Sequence, residues 1–349
     1  MKNSKRISYL GLLKFLAAIA IIFYHAKIAI TAHGGALYTL VEFFMFITGY
    51  FTFKHFHSKK DEIKRNSIEK KATNAIKYSV SKIITLMPFV IITVILVLLI
   101  YIWNARYQDP RTILLIFRTV PADLLLMHSQ SPDAANALWY ISALAIALPV
   151  FCLFCQTKKP KATLLLLSPL IIVYFWSPYW GNKINGAYAI IRMLAGLITG
   201  ASLYYSARYI KRRYANKKSA TVLQIVETLL TIIGVILMYP VAEATYTSYT
   251  DRYIVIIMYI VLTIIFSQRT YTSRIRNKTL DYLEQISMPL FLLHIPVLPT
   301  IALLITPYER PLLYVTSCIT ISVLFSIITS YIVKQIREEH TSAQKAVKR

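Results

Sequence analysis

Long apolar runs without a charged residue constrain the fold of this chain more than any other feature. Residues 83–105, 162–182 and 311–333 contain no Asp, Glu, Lys or Arg. Each run is long enough to cross the roughly 30 Å hydrocarbon layer of a bilayer as a helix. A spanning segment must satisfy its own backbone hydrogen bonds, and these runs lack the alternating pattern of barrel strands. The sequence therefore predicts an all-α integral membrane protein.

Composition and charge placement agree with this class. Only 15% of the 349 residues are charged and 56% are hydrophobic, whereas soluble proteins carry charge on roughly a quarter of their residues. The formal net charge is +24, but the basic residues lie in short loops between apolar runs, as orientation signals do. This distribution argues against nucleic-acid binding and indicates membrane lipid as a partner.

The alternation of basic and non-basic loops predicts a bundle of about ten transmembrane helices. One set of loops is rich in Lys and Arg; residues 54–82, for example, contain nine. The other set is poor in them, so the positive-inside rule places both termini in the cytoplasm. The predicted spans are 8–29, 37–54, 82–103, 137–155, 163–179, 186–206, 220–240, 252–268, 286–305 and 311–333.

The spans form one predicted transmembrane domain, residues 1–333, followed by a basic cytoplasmic tail, residues 334–349. Residues 55–80 are predicted to form a basic amphipathic stretch on the inner leaflet. Residues 110–128 are moderately apolar but carry charged residues. If they crossed the membrane, the following loops would violate the charge rule, so a re-entrant or outer-surface helix is predicted there.

Ionisable residues inside the spans are the first functional candidates, because a charge near the bilayer centre costs at least a few kcal/mol. Lys14 and His25 lie 11 positions apart on the first predicted helix. This spacing is a rotation of about 1100°, or about 20° from three full turns, with a rise of about 16 Å. We therefore expect both side chains on one face, with Lys14 in the cytoplasmic half and His25 near the outer end.

Two further charged residues are predicted at the depth of His25. Glu42 lies in the outer part of the second span, and Arg192 lies in the outer half of the sixth. Together the three residues could form a polar site open to the outside, in which a carboxylate tunes the histidine and an arginine lies nearby. A buried structural ion pair beside an interfacial histidine explains the same residues equally well.

The remaining candidates also have structural explanations. Lys82 begins the third span, where a lysine commonly extends toward the interface. His294 lies in an apolar helix, where a packing role is the more common one. Trp176 and Trp180 belong to an aromatic cluster at the outer end of the fifth span. That cluster fits an interfacial belt or, alternatively, a platform on which a sugar stacks.

Five short motifs follow one another between residues 14 and 297, and together they resemble a known family. They are Lys14-x10-His25, VEFFMFITGYF (41–51), LWYIS (138–142), Arg192 with Gly196 and Gly200, and ISMPLFLLHIPV (286–297). In this order they are similar to the signatures of the bacterial multispan acyltransferases called the acyltransferase-3 family. Members of that family place acetyl or other acyl groups on extracytoplasmic glycans.

Two positions depart from the family pattern, since each has another residue where arginine is usual. Lysine stands at Lys14, and Lys82 with Thr85 occupies the place where the family often has a pair of arginines. Lysine and arginine are not equivalent in bidentate phosphate contacts.

The resemblance implies a membrane O-acyltransferase of the bacterial cytoplasmic membrane. It implies cytoplasmic acyl-CoA, expected to be acetyl-CoA, as the donor and a surface glycan or lipid-linked sugar as the acceptor. His25 is then the expected general base, with Glu42 orienting its imidazole, and a covalent acyl-histidine step stays open. Lys14 and Lys82 are expected to hold the phosphates of the donor.

The expected acceptor site draws residues from several spans, and glycan-assembly proteins are candidate partners; no metal is expected. A transporter or flippase for a lipid-linked glycan or a small solute is the alternative, because intramembrane charges also mark transport paths. A purely structural membrane subunit is a third possibility. Binding of acyl-CoA by the purified protein would separate these classes. The residues assigned to the acceptor site are Trp139, Tyr140, Ser142, Trp176, Trp180, Arg192 and His294.

Overall fold

A computed structural model of the chain describes residues 7–31, 35–105, 138–176, 186–243 and 250–347. In these ranges the chain is helical and has no β-strand, which confirms the predicted all-α class. The α-helices of this part of the chain are α1 (Ser8–Thr31), α2 (Val41–Ser58), α3 (Lys60–Lys64), α4 (Ile68–Ala105), α5 (Leu138–Cys155), α6 (Pro160–Trp176), α7 (Gly186–Arg213), α8 (Lys217–Glu243), α9 (Thr250–Ser267), α10 (Lys278–Ala302) and α11 (Pro311–Val347).

Seven of these helices are long and apolar enough to cross a membrane: α1, α4, α5, α7, α8, α10 and α11. A helix also lies at each of the other three predicted spans. The described apolar part of α6 is shorter, and α2 carries ionisable residues that lower its hydropathy, among them Glu42 and Lys54. α9 is a strongly apolar helix of only 18 residues. The chain is thus a multi-pass membrane protein in which polar groups interrupt some of the spans.

The basic stretch predicted at 55–80 is not a separate surface element. α2 continues to Ser58, the short helix α3 follows, and α4 begins at Ile68 and runs without interruption for 38 residues. Residues 68–80 therefore prolong the third span. The sequence rule failed here because charge marks the membrane boundary but does not end a helix whose residues keep good helix propensity.

Two pairs of packed helices run parallel. In α1 and α10, Lys14 lies beside Glu284 and, further along both helices, His25 lies beside His294. In α2 and α7, Arg192 donates a hydrogen bond to Glu42, and further along both helices Gly49 lies close to Gly200. In each pair the contacts follow one another in the same chain direction. These are the two most extensive helix contacts in the described part of the bundle.

Sequence neighbours pack antiparallel. Between α4 and α5, Gln156 donates to the carbonyl of Lys71, and Ser79 lies against Cys152. A later residue of α4 thus meets an earlier residue of α5, as in an antiparallel pair. In α10 and α11, the hydroxyl of Tyr314 donates to the carbonyl of Leu298, so the start of α11 meets the end of α10. Burial places α5 and α10 at the centre of the bundle, since 67% of the residues in their apolar stretches are buried. α8 lies at the periphery, where the same share is 11%.

The contact between α2 and α7 depends on glycine. A Cβ atom at Gly200 would meet the carbonyl oxygen of Phe46 and would lie 2.9 Å from the Cα of Gly49. A Cβ atom at Gly49 would meet the backbone of Leu197. Because these obstacles are backbone atoms, they have no flexible end to move aside. Small residues of this kind let two membrane helices approach closely, which fixes α7 against α2.

Candidate functional site

Two histidines from α1 and α10 meet in the bundle. The ring centroids of His25 and His294 are 5.3 Å apart, with 35° between the ring planes. His294 is only 1% exposed, whereas His25 is partly exposed. His25 is therefore the more accessible member of this histidine pair, and His294 is the buried one. A neutral imidazole offers one donor and one acceptor nitrogen, so such a pair is equipped to accept or pass on a proton.

The same two helices carry an ion pair about three turns closer to their N-termini. The ammonium group of Lys14 donates to a carboxylate oxygen of Glu284. Both side chains are largely buried, with 16% and 26% of their surfaces exposed. The lysine–glutamate pair and the histidine pair thus join one pair of helices at two heights. The rise from Lys14 to His25 is about 16 Å, as expected from the sequence, and that from Glu284 to His294 is about 15 Å.

A second polar cluster surrounds Arg192. Its Nε donates to Oε1 of Glu42 at 2.7 Å, and its Nη2 lies 2.7 Å from the same oxygen. The two side chains are 1% and 2% exposed. The guanidinium carbon lies 4.9 Å from the ring centroid of Trp139 and 5.4 Å from that of Tyr38. Burying two opposite charges is tolerable only with such close pairing, and the aromatic faces add cation–π attraction.

The cluster extends to α9 through Tyr38, whose hydroxyl donates to Oδ2 of Asp251 at 2.9 Å. Tyr38, Glu42, Trp139, Arg192 and Asp251 together form what we call the arginine cluster. It ties the starts of α2, α5, α7 and α9 to one another. The sequence placed Glu42 and Arg192 at the depth of His25. In the structure Glu42 forms an ion pair with Arg192, and the ring next to His25 is that of His294.

Two other predicted acceptor residues on α5 take part in packing. Tyr140 is fully buried, and its ring lies edge-on to that of Phe291 with centroids 5.5 Å apart. Phe291 in turn lies 6.1 Å from the ring of His294. Ser142 donates to the carbonyl of Leu138 within its own helix. Tyr140 and Phe291 therefore form the wall behind the histidine pair.

The two lysines expected to hold a donor differ in their surroundings. Lys14 is bound to Glu284, so its charge is already balanced. Lys82 is exposed on α4, and its ammonium lies 5.5 Å from the ring centroid of Tyr78, one turn earlier. Lys82 has no carboxylate partner within the described ranges.

Some predictions fall outside the part of the chain that the structure describes. These are Trp180, the side chain of Trp176, and the re-entrant or surface helix expected at 110–128.

The sequence reasoning missed three residues of these clusters: Glu284, Tyr38 and Asp251. Glu284 had a signal that could have found it, since it precedes His294 by nearly the spacing that separates Lys14 from His25. Tyr38 and Asp251 lie near the predicted ends of their spans, where polar and aromatic residues are ordinary, and nothing in the local sequence pairs them.

Comparison with known proteins agrees with the motifs. The acyltransferase-3 family model, described as an acyltransferase domain, matches residues 7–331. This match covers most of the 349 residues and confirms the family resemblance of the five motifs. Neither the comparison with curated proteins nor the comparison with solved structures found a match.

Proposed function

Because the chain belongs to the acyltransferase-3 family, and is thus a membrane acyltransferase, we propose that it is an O-acyltransferase of the bacterial cytoplasmic membrane. It moves an acyl group, expected to be acetyl, from cytoplasmic acyl-CoA to a hydroxyl of a surface glycan or a lipid-linked sugar. The observation that carries the proposal is the histidine pair, in which a partly exposed His25 is backed by a buried His294.

In the proposed reaction His25 is the general base. Its free imidazole nitrogen takes the proton from the acceptor hydroxyl, and the oxygen attacks the thioester carbonyl. The carbon–sulfur bond then breaks, the thiolate of CoA leaves, and the imidazolium returns the proton to that sulfur. An ester and free CoA–SH result, so protons and charge balance. This role needs one open nitrogen on His25, and the partial exposure of the residue supports it.

We assign the orientation of the His25 ring to His294 rather than to Glu42. The ring of His294 lies 5.3 Å from that of His25, whereas Glu42 is engaged by Arg192. Phe291 and Tyr140 support the position of His294 from behind. The arginine cluster then acts by fixing the helices around the acceptor entrance.

The donor is proposed to enter from the basic side of the bundle. Lys82 is the better candidate for contact with its phosphates, because it is exposed and has no carboxylate partner within the described ranges. Lys14 would have to leave Glu284 before it could hold a phosphate. We therefore propose that Lys14 acts mainly by holding α1 against α10, which places His25 beside His294.

The proposed topology has ten spans with both termini in the cytoplasm. Each span reverses the direction of the chain across the membrane. Two helices are therefore parallel when an odd number of spans lies between them in the chain, and antiparallel when that number is even or zero. The ten-span order places seven spans between α1 and α10, three between α2 and α7, and none between α4 and α5 or between α10 and α11. The directions of all four packed pairs fit this order.

The decisive experiment measures O-acyl groups on the surface glycans of the producing bacterium by proton NMR, before and after mild base. Wild type, a deletion strain and the deletion strain complemented with His25→Gln are compared. We expect the ester signals to vanish in the deletion strain and to stay absent with His25→Gln, although the variant is present in the membrane. The esters that disappear also identify the acceptor.

A transporter gives a different pattern in the same strains. Esters would persist in the deletion strain while intact glycan accumulates inside the cell, and the purified protein would not bind acyl-CoA. That combination would overturn the proposed acyl transfer.

A further inference from the structure

A pocket whose lining does not include the histidine pair lies where the C-terminal ends of α2, α7 and α9 meet. It has a volume of about 570 Å³. None of the described residues that line it is acidic. The five cationic residues in its wall are Lys54, Arg208, Lys211, Arg212 and Arg269.

One of these cations builds the wall, and the others leave charge available. Arg269 donates to the carbonyls of Lys211 and Ala215, which close the end of α7. Lys54, Lys211 and Arg212 have no carboxylate partner in the described parts of the chain. The ends of three helices contribute a partial negative charge of about 1.5. Five cations outweigh it, so the pocket attracts anions.

The floor of the pocket is apolar and reaches the surface of the bundle. The rings of Tyr50 and Phe266 are stacked, with centroids 3.7 Å apart, and they are 6% and 4% exposed. Phe51 packs edge-on to Phe266 and is itself 36% exposed. The ammonium of Lys54 lies about 6 Å from the rings of both Tyr50 and Phe51. A cationic rim thus borders an apolar surface, which is the complement of an amphiphilic anion.

Between α2 and α7 the pocket is closed toward the interior of the protein. The backbones of α2 and α7 touch at Gly49 and Gly200, above the Tyr50 floor. A ligand in the pocket therefore has no path between these helices toward His25. This closure argues against the acyl donor as its occupant.

We propose that this pocket binds the phosphate headgroup of an anionic phospholipid from the leaflet on the basic side of the bundle. The cations of the rim hold the phosphate, and the acyl chains follow the exposed apolar surface beside Phe51. Basic pockets between transmembrane helices at the cytoplasmic side have the chemistry that such headgroups require. The site is separate from the histidine pair, so it does not depend on the reaction proposed above.

The test is the binding of cardiolipin to the purified full-length protein in detergent, measured by native mass spectrometry, with phosphatidylcholine as the neutral lipid. The pocket variant is Lys54→Gln/Lys211→Gln/Arg212→Gln. We expect it to bind cardiolipin about 100-fold more weakly than wild type, from the usual contribution of a cation near an anionic lipid. The matched control is Lys70→Gln/Lys77→Gln/Lys218→Gln, which removes the same charge from exposed positions outside the pocket; it should change binding less than about threefold.

Since Lys54 is partly buried, Lys211→Gln/Arg212→Gln serves as a second variant that alters exposed residues only. We expect it to weaken binding about 20-fold while elution in size-exclusion chromatography is unchanged. Equal losses in the pocket and control variants would mean that only total charge matters, which would overturn the proposal. Displacement of cardiolipin by CoA or inorganic diphosphate at equal concentration would also overturn it, because the site would then recognise soluble phosphate.

Discussion

The two parallel helix pairs, α1 with α10 and α2 with α7, both bury opposite charges, but they do so in different ways. The lysine–glutamate pair of α1 and α10 keeps 16% and 26% of its side-chain surfaces exposed, and His25 further along is also partly exposed. In α2 and α7 the Glu42–Arg192 pair is only 1–2% exposed. Both helix pairs approach closely at glycines, Gly49 and Gly200 in α2 and α7 and Gly11 in α1, so the difference lies in the exposure of the polar groups. One pair retains access, whereas the other is closed.

This difference separates chemistry from support. A proton-transfer group must meet its substrate, so it belongs on the accessible pair of helices. A fully buried ion pair contributes little net stability, but loss of one partner leaves an isolated charge in a medium that cannot solvate it. We therefore expect substitutions in α1 and α10 to change the reaction first, and substitutions in α2 and α7 to change folding first.

His25→Gln should lower acyl transfer about 10²- to 10⁴-fold, because glutamine keeps a similar size but cannot act as a base. His294→Gln should lower it less, since His294 does not reach the acceptor. His55→Gln, at the opposite end of α2, is the matched control and should retain transfer. The measurement is base-labile ester per unit of membrane-inserted protein. Full transfer by His25→Gln would remove His25 from the proposed role.

Arg192→Met should destabilise the protein by about 3–5 kcal/mol, because it leaves the carboxylate of Glu42 buried without its partner. The double variant Arg192→Met/Glu42→Leu removes both charges and should recover most of that loss. Thermal unfolding of the detergent-solubilised protein measures both. If the single variant unfolds at the wild-type temperature, the arginine cluster does not support the α2–α7 contact.

Gly200→Ala should destabilise the protein by about 1–3 kcal/mol, because the added methyl group meets backbone atoms of α2. Gly234→Ala is the control, since its Cβ would meet only a methyl group of Ile257 at an ordinary 3.6 Å. In a helix this control should be neutral or stabilising by up to about 1 kcal/mol. The same unfolding measurement compares them, and equal midpoints for the two variants would contradict the close packing of α2 and α7.

Exchange of the charges at Lys14 and Glu284 should have the smallest final effect. Lys14→Glu and Glu284→Lys each create a like-charge contact, so each alone should reduce transfer. The double variant restores an ion pair and should regain much of the lost activity, because the pair holds α1 against α10. Ester formation in cells measures all three. If the double variant is as inactive as Lys14→Glu, a positive charge at position 14 is itself required, as expected for direct contact with the donor.

The class of the protein and most of its helices follow from local sequence. Uncharged runs can be satisfied in lipid only as helices, and this local requirement located a helix at every predicted span. The Lys14–His25 spacing likewise placed two polar groups on one helix face, because helical periodicity is a local property. The location of the helices and the shared face of Lys14 and His25 both depend only on residues close together in the chain.

The contacts between polar groups, in contrast, depend on how the helices pack. Glu284 and His294 are about 270 residues from Lys14 and His25 in the chain, and Glu42 is 150 residues from Arg192. Their pairing depends on the rotation and direction of whole helices. Close packing sets these at Gly49 and Gly200 in α2 and α7, and at Gly11 against the backbone of Leu280 in α1 and α10. Periodicity gives the face of a helix but not its neighbour. The sequence could therefore name the ionisable residues but left open whether Glu42 pairs with Arg192 or orients His25. Packing decided for Arg192 and brought His294 to His25.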